Sequence, residues 1–472
     1  MLFVHLGSSH GEAAGVPQLN NRLEAIVTGT LPSDYAVSAL VVDLETGQVL
    51  MELHPDRPLT PASTMKVVTS ATALSLLKPD FAFVTEVLTD KAGSSSIGEV
   101  YLKGTGDPYL VSEELFALTR GLKENGLQEI TGNIIVDDSY FIPGKPLDER
   151  EELGHRSYHA PYGALSLNFN SIKILVHPAD RIGRPARVVM DPTSEYAVVR
   201  GSVKTVRGNA CPRPAISKKG EPGEREIIEV TGEIGVNAQA RGVYVNVASP
   251  ALYTGKVFKE FLLREGVRVT GKVIRGKTPP SAVSYLEFKS RPLGSIVYWL
   301  NKFSNNFMAE QICLAVGAQA HGVPGTREKG LAVIRKYLLS CGVDEGSFSL
   351  SDASGLSLSN KLSASAIVRV LVTASRDFSY NAEFMASLGI SGIDGTLREK
   401  FTDGAMRRRI RAKTGTLRGV NALAGYGVSR DGRTVAFAVL VNNLKQGAGF
   451  VSYADDIVRA VMELPMGARG SR

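Results

Sequence analysis

Residues 60–79 read TPASTMKVVTSATALSLLKP, and this stretch decides the fold. The run of apolar and small residues predicts a helix that begins at Pro61, where the missing backbone N–H costs nothing, and ends just before Pro79. Residues three apart on a helix lie on the same face, so the amine of Lys66 is expected beside the hydroxyl of Ser63.

This serine–lysine pair could act as a nucleophile and its base. A serine hydroxyl attacks well only when a neighbouring group takes its proton, and lysine can do so only when it is neutral. With an unperturbed pKa near 10.4, roughly one lysine in a few thousand is neutral at pH 7, and lowering that pKa by about 3 units costs about 4 kcal/mol. Burial or a second nearby cation is therefore required. Taken alone, the Ser-x-x-Lys pattern is common and is more typical of an exposed polar pair.

A second cluster is Ser304-Asn305-Asn306, which lies in the segment LNKFSNNFMAE. Ser304 could relay a proton, and Asn306 could hold a substrate amide. Serine and asparagine are also frequent helix caps, so in isolation the segment is more typical of a cap or loop.

A third cluster is Lys413-Thr414-Gly415-Thr416, on a strand predicted between Ile410 and Gly425. Lysine and threonine on an edge strand can bind a carboxylate, and Gly415 removes a side chain that would block the approach of a peptide backbone. Lys413 would also supply the second positive charge that Lys66 needs. Alone, the pattern is equally typical of a charged edge strand that resists aggregation.

The three clusters in this order change the interpretation. Ser-x-x-Lys, Ser-x-Asn and Lys-Thr-Gly together form the signature of class A β-lactamases and penicillin-binding proteins. Each cluster also falls on the helix, loop or strand that its chemical role requires. The sequence therefore predicts one active site for serine acyl transfer.

The order of the predicted elements indicates an interrupted α/β domain. A hairpin over residues 35–53 precedes the first helix, and residues 81–283 consist of short β-rich segments broken by Gly and Pro. Within them, residues 216–225 are expected to form an exposed loop. Helices return after Pro292, followed by two closing strands and a final helix. Both ends of the chain should build the same domain.

The composition excludes several classes of protein. The chain has 472 residues, of which 43% are hydrophobic and 21% charged, so two or three globular domains are expected. Its three cysteines, Cys211, Cys313 and Cys341, show no CxxC or CxxH spacing, so neither a metal site nor a cofactor is predicted. The net charge of +7 favours anionic neighbours, such as cell-wall polymers, membrane surfaces or nucleic acid.

Beyond these inferences, the chain closely resembles the class C low-molecular-mass penicillin-binding proteins, a D-Ala-D-Ala carboxypeptidase/endopeptidase family. The resemblance runs over nearly the whole length and includes these segments: Pro61-Ala-Ser-Thr-Met-Lys66, Gly104-Thr-Gly-Asp-Pro108, Ala160-Pro161, Asn168-Phe-Asn170, Ser304-Asn-Asn306, Asp352-Ala-Ser-Gly-Leu-Ser357, Gly392-Ile-Asp-Gly-Thr-Leu397 and Lys413-Thr-Gly-Thr416. The 241 positions between Ser63 and Ser304 are far more than a compact β-lactamase has, and in this family inserted domains fill that gap.

The resemblance implies a fold and a domain division. A penicillin-binding-protein/β-lactamase-like transpeptidase domain, with an antiparallel sheet flanked by helices, is expected from residues 1–84 and 286–472. A β-rich domain from residues 85–184 and 240–285 would be inserted between the first and second clusters. A second small domain, residues 185–239, would be nested inside that insertion.

The resemblance also implies a mechanism. Ser63 would attack the carbonyl between the two terminal D-alanines while Lys66 accepts its proton. Ser304 would pass a proton to the leaving amine, and water would then hydrolyse the acyl-enzyme. The backbone N–H groups of Ser63 and Thr416 would form the oxyanion hole, each worth roughly 3–4 kcal/mol.

The remaining implied roles concern the peptide and the partners. Asn306 and Thr416 would orient the peptide, while Lys413 and Thr414 would face its terminal carboxylate, and Gly415 is also expected among the substrate-binding residues. Peptidoglycan stem peptides are the expected substrate and β-lactam antibiotics the expected covalent inhibitors. A peripheral association with the membrane or the cell wall is left open. The run Arg407-Arg408-Arg409 comes without any nucleic-acid-binding module, so no nucleic-acid partner is expected.

One departure from the family affects specificity. Relatives often carry a Trp-x-x-Asp element shortly before the Ala-Pro segment, whose acid reads the third residue of the stem peptide. Here residues 151–156 read EELGHR, with neither Trp nor Asp at that place. Glu152 is considered as a substitute, and the third-residue preference of the substrate is left open.

Two alternatives and the cellular location complete the sequence-based hypotheses. A β-lactamase would share all three clusters, and a catalytically idle cell-wall binding protein would keep the fold. The first 15 residues lack a basic region and a full apolar region, so they are considered either as the tail of a signal peptide or as an N-terminal arm. The resemblance implies a periplasmic or otherwise extracytoplasmic location.

Overall fold

Strands from both ends of the chain share one sheet. The computed structural model describes residues 35–91, 93–145, 157–210, 215–219, 225–444 and 453–463. Within these ranges the strands are β1 Ala36–Asp43, β2 Val49–Leu53, β3 Val84–Thr89, β4 Ser96–Ile97, β5 Val100–Gly104, β6 Glu129–Ile130, β7 Ile134–Asp137, β8 Ser171–His177, β9 Arg187–Asp191, β10 Ala197–Arg200, β11 Val203–Val206, β12 Ala215–Lys219, β13 Glu226–Gly235, β14 Arg241–Asn246, β15 Arg268–Val269, β16 Val273–Arg275, β17 Val283–Lys289, β18 Gly389–Ile390, β19 Ile410–Leu417, β20 Val420–Val428 and β21 Thr434–Asn442.

The helices lie mostly in the second half of the described chain. They are α1 Met65–Leu77, α2 Ser112–Glu124, α3 Pro250–Arg264, α4 Leu293–Phe303, α5 Asn306–His321, α6 Arg327–Ser340, α7 Ala364–Arg376, α8 Asn381–Ser387 and α9 Tyr453–Glu463. Among the described residues, no helix is both long enough and apolar enough to cross a membrane.

The shared sheet has six strands in the order β18-β19-β20-β21-β1-β2. All of its neighbouring strands pair antiparallel, and β1 pairs with β21 from Ala36↔Asn442 to Asp43↔Val435. The predicted opening hairpin and closing strands are confirmed, because turns and alternating apolar residues define them locally.

Both faces of this sheet are buried under helices. Because successive side chains on a strand point to opposite sides, each strand contributes residues to two cores. From β1, Leu40 and Val42 pack into a core with helices α1 and α4 to α8, whereas Val37, Ala39 and Val41 pack into a core with α9. The predicted antiparallel sheet flanked by helices is confirmed.

Helix α1 lies at the centre of the helical core. Every residue from Met65 to Leu74 is buried, so this part of the helix has no face exposed to solvent, as expected for a helix surrounded by protein. Its buried hydroxyls donate to carbonyls one turn back, from Ser70 to Lys66 O at 2.5 Å and from Thr72 to Val68 O at 2.8 Å. These bonds satisfy polar groups that would otherwise destabilise the core.

The insertion is built around a second core. A five-stranded sheet with the order β16-β7-β5-β3-β17 packs with α2 and α3, and β3 and β17 pair antiparallel where the chain leaves and re-enters the first domain. Strands β8, β9 and β14 form one further sheet, and β10 to β13 form another. We propose the three-part division given by the sequence, with the insertion extended to the ends of β3 and β17 because these strands belong to one sheet.

One local expectation is wrong. Residues 216–219, at the start of the exposed loop predicted for residues 216–225, belong to strand β12, which pairs antiparallel with β13. The polar composition of this segment reflects a strand at the edge of a sheet. Residues 220–224 of the same segment lie outside the described residues.

Candidate active site

Ser63 lies in a single 3₁₀ turn, Ala62–Thr64, that leads directly into α1. The helix was predicted to begin at Pro61, but α1 itself begins at Met65 because the turn precedes it. Ala62 has a φ of 49°, a left-handed conformation that costs a non-glycine residue free energy and is often found next to reactive groups. The turn leaves Ser63 half-buried, whereas Ala62 and Thr64 are buried.

The predicted contact between Ser63 and Lys66 is present. Lys66 Nζ lies 3.0 Å from Ser63 Oγ, 2.7 Å from Asn306 Oδ1 and 2.5 Å from the carbonyl oxygen of Ser354. The last two partners can only accept hydrogen bonds. A neutral amine donates to both and keeps one lone pair for the proton of the Ser63 hydroxyl, so the geometry suits lysine as a base.

The surroundings of Lys66 favour its neutral form. Its side chain is fully buried, and this burial lowers its pKa from 10.5 to about 8, while the carboxylates of Asp352 and Glu310 act in the opposite direction. At pH 7 roughly a tenth of such a lysine is neutral, several hundred times the fraction of an exposed lysine. The chemistry expected from residues three apart on a helix is therefore available.

The second cluster joins two helices. Ser304 ends α4 in a left-handed conformation (φ 56°, ψ 39°), and the Asn305 side chain accepts a hydrogen bond of 3.1 Å from Met308 N at the start of α5. Asn306 is the first residue of α5 and contacts Lys66. The segment is thus a cap, as the isolated pattern suggested, and it also places two polar side chains at the site.

The third cluster lies on β19, which runs past the turn that carries Ser63. Lys413 is fully buried, and its Nζ lies 2.8 Å from Ser304 Oγ and 2.8 Å from the carbonyl oxygen of Thr414. Burial, and then the positive charge of Lys66, lower the pKa of Lys413 well below its ordinary value. The two amines therefore share one polar region, and burial is the largest cause of the lowered pKa at both.

Gly415 faces the protein. A Cβ at this position would lie 2.7 Å from the carbonyl oxygen of Pro61 and 3.2 Å from the Cβ of Ala62. The glycine therefore lets β19 approach the turn that holds Ser63, a reason that differs from the peptide approach predicted for it. Of its neighbours, Thr414 donates to Thr396 Oγ1 at 2.8 Å, and Thr416 is exposed.

Sequence reasoning missed the loop that supplies the Ser354 carbonyl. The carboxylate of Asp352 accepts hydrogen bonds from Gly355 N at 2.6 Å and from Ser357 N at 2.7 Å, which fixes the loop in a tight turn. A Cβ on Gly355 would lie 1.9 Å from the carbonyl oxygen of Ala62, so only glycine fits there. The segment had been noted within the family pattern, but a backbone carbonyl carries no sequence signal of its own.

A second missed feature is an ion pair beside the site. Lys302, almost fully buried near the end of α4, lies 2.7 Å and 2.8 Å from the two carboxylate oxygens of Asp394. Asp394 also accepts a hydrogen bond of 2.8 Å from Ile390 N. The pair fixes the loop that carries Thr396 against the end of α4.

Two other sequence-based expectations concern a metal site and the segment 151–156. Among the residues that the structure describes, no group of three or more His, Cys, Asp or Glu side chains could hold a metal ion. The segment 151–156, where relatives carry Trp-x-x-Asp, lies outside the described residues, as does Cys211.

Comparisons with known proteins show which family the chain resembles. Residues 19–459 match the sequence model of the D-Ala-D-Ala carboxypeptidase 3 (S13) family. The chain is 30% identical to a D-alanyl-D-alanine carboxypeptidase of Actinomadura sp., over 97% of this chain and 88% of that protein. It is 24% identical to a D-alanyl-D-alanine carboxypeptidase of Haemophilus influenzae, over 92% and 90% of the two chains.

Solved structures give the same fold. The crystal structure of penicillin binding protein 4 from Haemophilus influenzae superimposes with a TM-score of 0.77 at 21% identity, covering 94% of this chain and 99% of that one. A second structure of that protein, in complex with a β-lactam, superimposes with a TM-score of 0.74 and covers 94% and 100% of the two chains at the same identity.

Proposed function

The chain belongs to the D-Ala-D-Ala carboxypeptidase 3 (S13) family and is a serine-type D-alanyl-D-alanine carboxypeptidase, and we propose that Ser63 is its nucleophile. One observation carries this assignment. The hydroxyl of Ser63 lies 3.0 Å from the amine of Lys66, which is fully buried and whose pKa is lowered to about 8. Among the described residues, this pair unites a partly accessible hydroxyl with a base poised near neutral pH.

Acylation begins with the transfer of one proton. The Ser63 hydroxyl gives its proton to neutral Lys66 as Oγ attacks the carbonyl carbon of the penultimate D-alanine. Negative charge then develops on the carbonyl oxygen. By resemblance to the family, the backbone N–H groups of Ser63 and Thr416 stabilise that charge.

The leaving D-alanine needs a proton on its amine as the peptide bond breaks. Ser304 is suited to deliver it and to receive a proton in turn from Lys413, whose Nζ lies 2.8 Å from its hydroxyl. Water then attacks the ester on Ser63 and passes a proton through Ser304 back to Lys413, while protonated Lys66 returns its proton to Ser63 Oγ. Each group thus acts once as an acid and once as a base.

The terminal carboxylate of the substrate is assigned to Lys413 and Thr414. Burial and the charge of Lys66 disfavour the protonated form of Lys413 in the free enzyme. A bound carboxylate favours that protonated form by direct attraction, so the substrate itself restores the charge that recognises it. Asn306, whose carbonyl oxygen is occupied by Lys66, keeps its NH₂ group for a peptide carbonyl.

We extend the proposal to inhibitors and location. The β-lactam complex of the Haemophilus influenzae protein motivates β-lactams as acylating inhibitors of Ser63. Stem peptides of peptidoglycan are the proposed substrate, and because that polymer lies outside the cytoplasmic membrane, the proposed location is extracytoplasmic. Cleavage of cross-links would use the same acyl donor with a different leaving amine.

The test pairs two measurements on the wild-type protein and on Ser63→Ala. Wild type should form a lasting penicilloyl adduct on Ser63, visible by mass spectrometry, and should release D-alanine from a pentapeptide. Ser63→Ala should do neither, and D-alanine release by that variant would refute the assignment. Rapid turnover of penicillin without a lasting adduct would favour the β-lactamase alternative, and an inert wild type would favour the idle binding protein.

A further inference from the structure

Helix α5 presents a second polar side chain one turn after Asn306. Residues four apart on a helix share a face, so Glu310 lies on the same side of the helix as Asn306. Its side chain is 1% exposed. A carboxylate is rarely buried to this degree unless it has specific partners.

Glu310 holds the loop that contacts the catalytic lysine. Its Oε1 accepts hydrogen bonds from Ala353 N at 3.1 Å and from Ser354 N at 2.9 Å. The carbonyl oxygen of Ser354 accepts from Lys66 Nζ at 2.5 Å. These two hydrogen bonds fix the two peptide planes that lead into Ser354, while Asp352, which accepts from Gly355 N, fixes the plane that contains the Ser354 carbonyl. Together they set the position of the oxygen that orients the amine.

The groups around Glu310 come from several elements. Asp352 lies in the loop, and Arg327 begins α6 with its Nε 3.8 Å from Glu310 Oε2. Tyr162 of the insertion and Cys313 of the same helix also lie close enough to interact with the carboxylate. Burial and Asp352 raise the pKa of Glu310 to about 7, while Arg327 lowers it. The carboxylates of Glu310 and Asp352 in turn raise the pKa of Lys66, against the larger effect of its burial.

We propose that Glu310 is a positioning residue for acylation, which fixes the backbone that orients the Lys66 amine. This inference rests on the proposed role of Lys66 as the base. Arg327 also contacts the hydroxyl of Tyr162 and, at 2.6 Å, the carbonyl oxygen of Lys145, so Glu310 connects the base to the insertion.

The decisive variant is Glu310→Gln. Glutamine keeps an oxygen for the two N–H groups but removes the charge, so the pKa of Lys66 should fall. The midpoint of the pH profile for acylation by a chromogenic β-lactam should move to lower pH, by up to about 1 unit. The variant should acylate roughly threefold faster than wild type between about pH 7 and 8, where wild-type Glu310 is ionised, and the two profiles should converge below pH 7, where Glu310 is protonated.

Glu310→Ala separates charge from position. It removes the same charge but leaves Ala353 N and Ser354 N without their acceptor, so the plateau rate at high pH should fall roughly tenfold. Glutamine should restore that plateau, and alanine should not. Gln311→Leu is the matched control, because Gln311 contacts Gly106 and Gly163 of the insertion; its pH midpoint should equal that of wild type.

The outcomes are distinguishable from failure of the proposed function. If wild type does not acylate at Ser63, the proposed function fails. If wild type acylates and the profile of folded Glu310→Gln superimposes on it, the inference about Glu310 alone is overturned. Should thermal unfolding show that Glu310→Gln is not folded, Glu310→Asp keeps the charge but shortens the reach. Its midpoint should stay in place while its plateau falls, and an unchanged plateau would overturn the inference.

Discussion

The two lysines of the cleft are equally buried but have different neighbours. Lys66 and Lys413 both expose none of their side chains. Lys66 has two carboxylates nearby, Asp352 and Glu310, which partly offset its burial and leave its pKa at about 8. Among the described residues, no carboxylate offsets the burial of Lys413, and the charge of Lys66 lowers its pKa further.

The difference shows how one fold uses lysine in two ways. Lys66 has its counter-charges built into the protein, so it loses and regains a proton near neutral pH, as a base must. Lys413 lacks a built-in counter-charge, so its charged form depends on an anion brought by the ligand. At pH 7 the lowered pKa of Lys66 reduces the free energy of unfolding by up to about 3 kcal/mol, which the packing around it has to offset.

The largest effect is expected when Lys66 cannot lose its proton. Arginine stays charged at all accessible pH values, so Lys66→Arg should slow acylation of Ser63 by roughly 10²–10⁴-fold. Stopped-flow measurement with a chromogenic β-lactam checks this. Lys413→Arg is the matched control, since it keeps a charge where a charge is wanted and should lose much less. Equal losses in both variants would remove the distinction between the two lysines.

The next effect concerns the carboxylate assigned to Lys413. Lys413→Met should lower kcat/KM for a peptide ending in D-Ala-D-Ala by roughly 10–100-fold, the value of a hydrogen bond to a charged group. The same peptide with a C-terminal amide should be affected much less, because it has no carboxylate to lose. A comparable loss on both peptides would show that Lys413 acts elsewhere in the reaction.

A third expectation is a pH dependence with a defined sign. Neutral Lys66 is the active form, so acylation should rise about tenfold per pH unit below a midpoint near 8 and then level off. Stability should follow the same group. Between pH 8 and 10.5 the unfolded chain holds the proton that folded Lys66 has lost, so the contribution of this group to the free energy of unfolding rises through that window. Single-turnover rates and denaturant titrations measure the two effects, and a flat rate profile from pH 6 to 9 would contradict the first.

The smallest catalytic effect is expected at a third buried lysine. Lys302 forms a direct ion pair with Asp394, although burial still lowers the pKa of Lys302. Asp394→Asn leaves Lys302 without its counter-charge and should lower the free energy of unfolding by about 1–3 kcal/mol, less than a fully buried pair because Asp394 is partly exposed. The pH midpoint of acylation should stay unchanged. A shifted midpoint would place this pair in the electrostatics of Lys66.

The parts of the site that could be predicted from the sequence are those that depend on short-range sequence patterns. The spacing of Ser63 and Lys66 on a helix gave their contact, and the strand predicted around Lys413 is β19. The cap at Asn305 follows from its residue type. Such features depend on a few neighbouring residues, which is why they can be read without the fold.

The parts that could not be predicted depend on distant backbone. The Ser354 carbonyl reaches Lys66 only because α1, α5 and the loop after residue 351 meet in the fold. The space beside Gly415 is occupied by Pro61, more than 300 positions earlier in the chain. The sequence therefore predicts the wrong reason for a glycine at this position. The composition of residues 216–219 predicts a loop although they form a strand, because a polar edge strand and a polar loop have the same composition.

The arrangement of the six-stranded sheet has a consequence for synthesis of the protein. Strand β1 pairs over its whole length with β21, so the sheet on which α1 packs cannot close until the chain up to Asn442 has left the ribosome. The inserted sheets, made from intervening residues, can close earlier. We therefore expect nascent chains truncated before residue 434 to remain unreactive towards a fluorescent penicillin, and reactivity to appear abruptly once β21 is included.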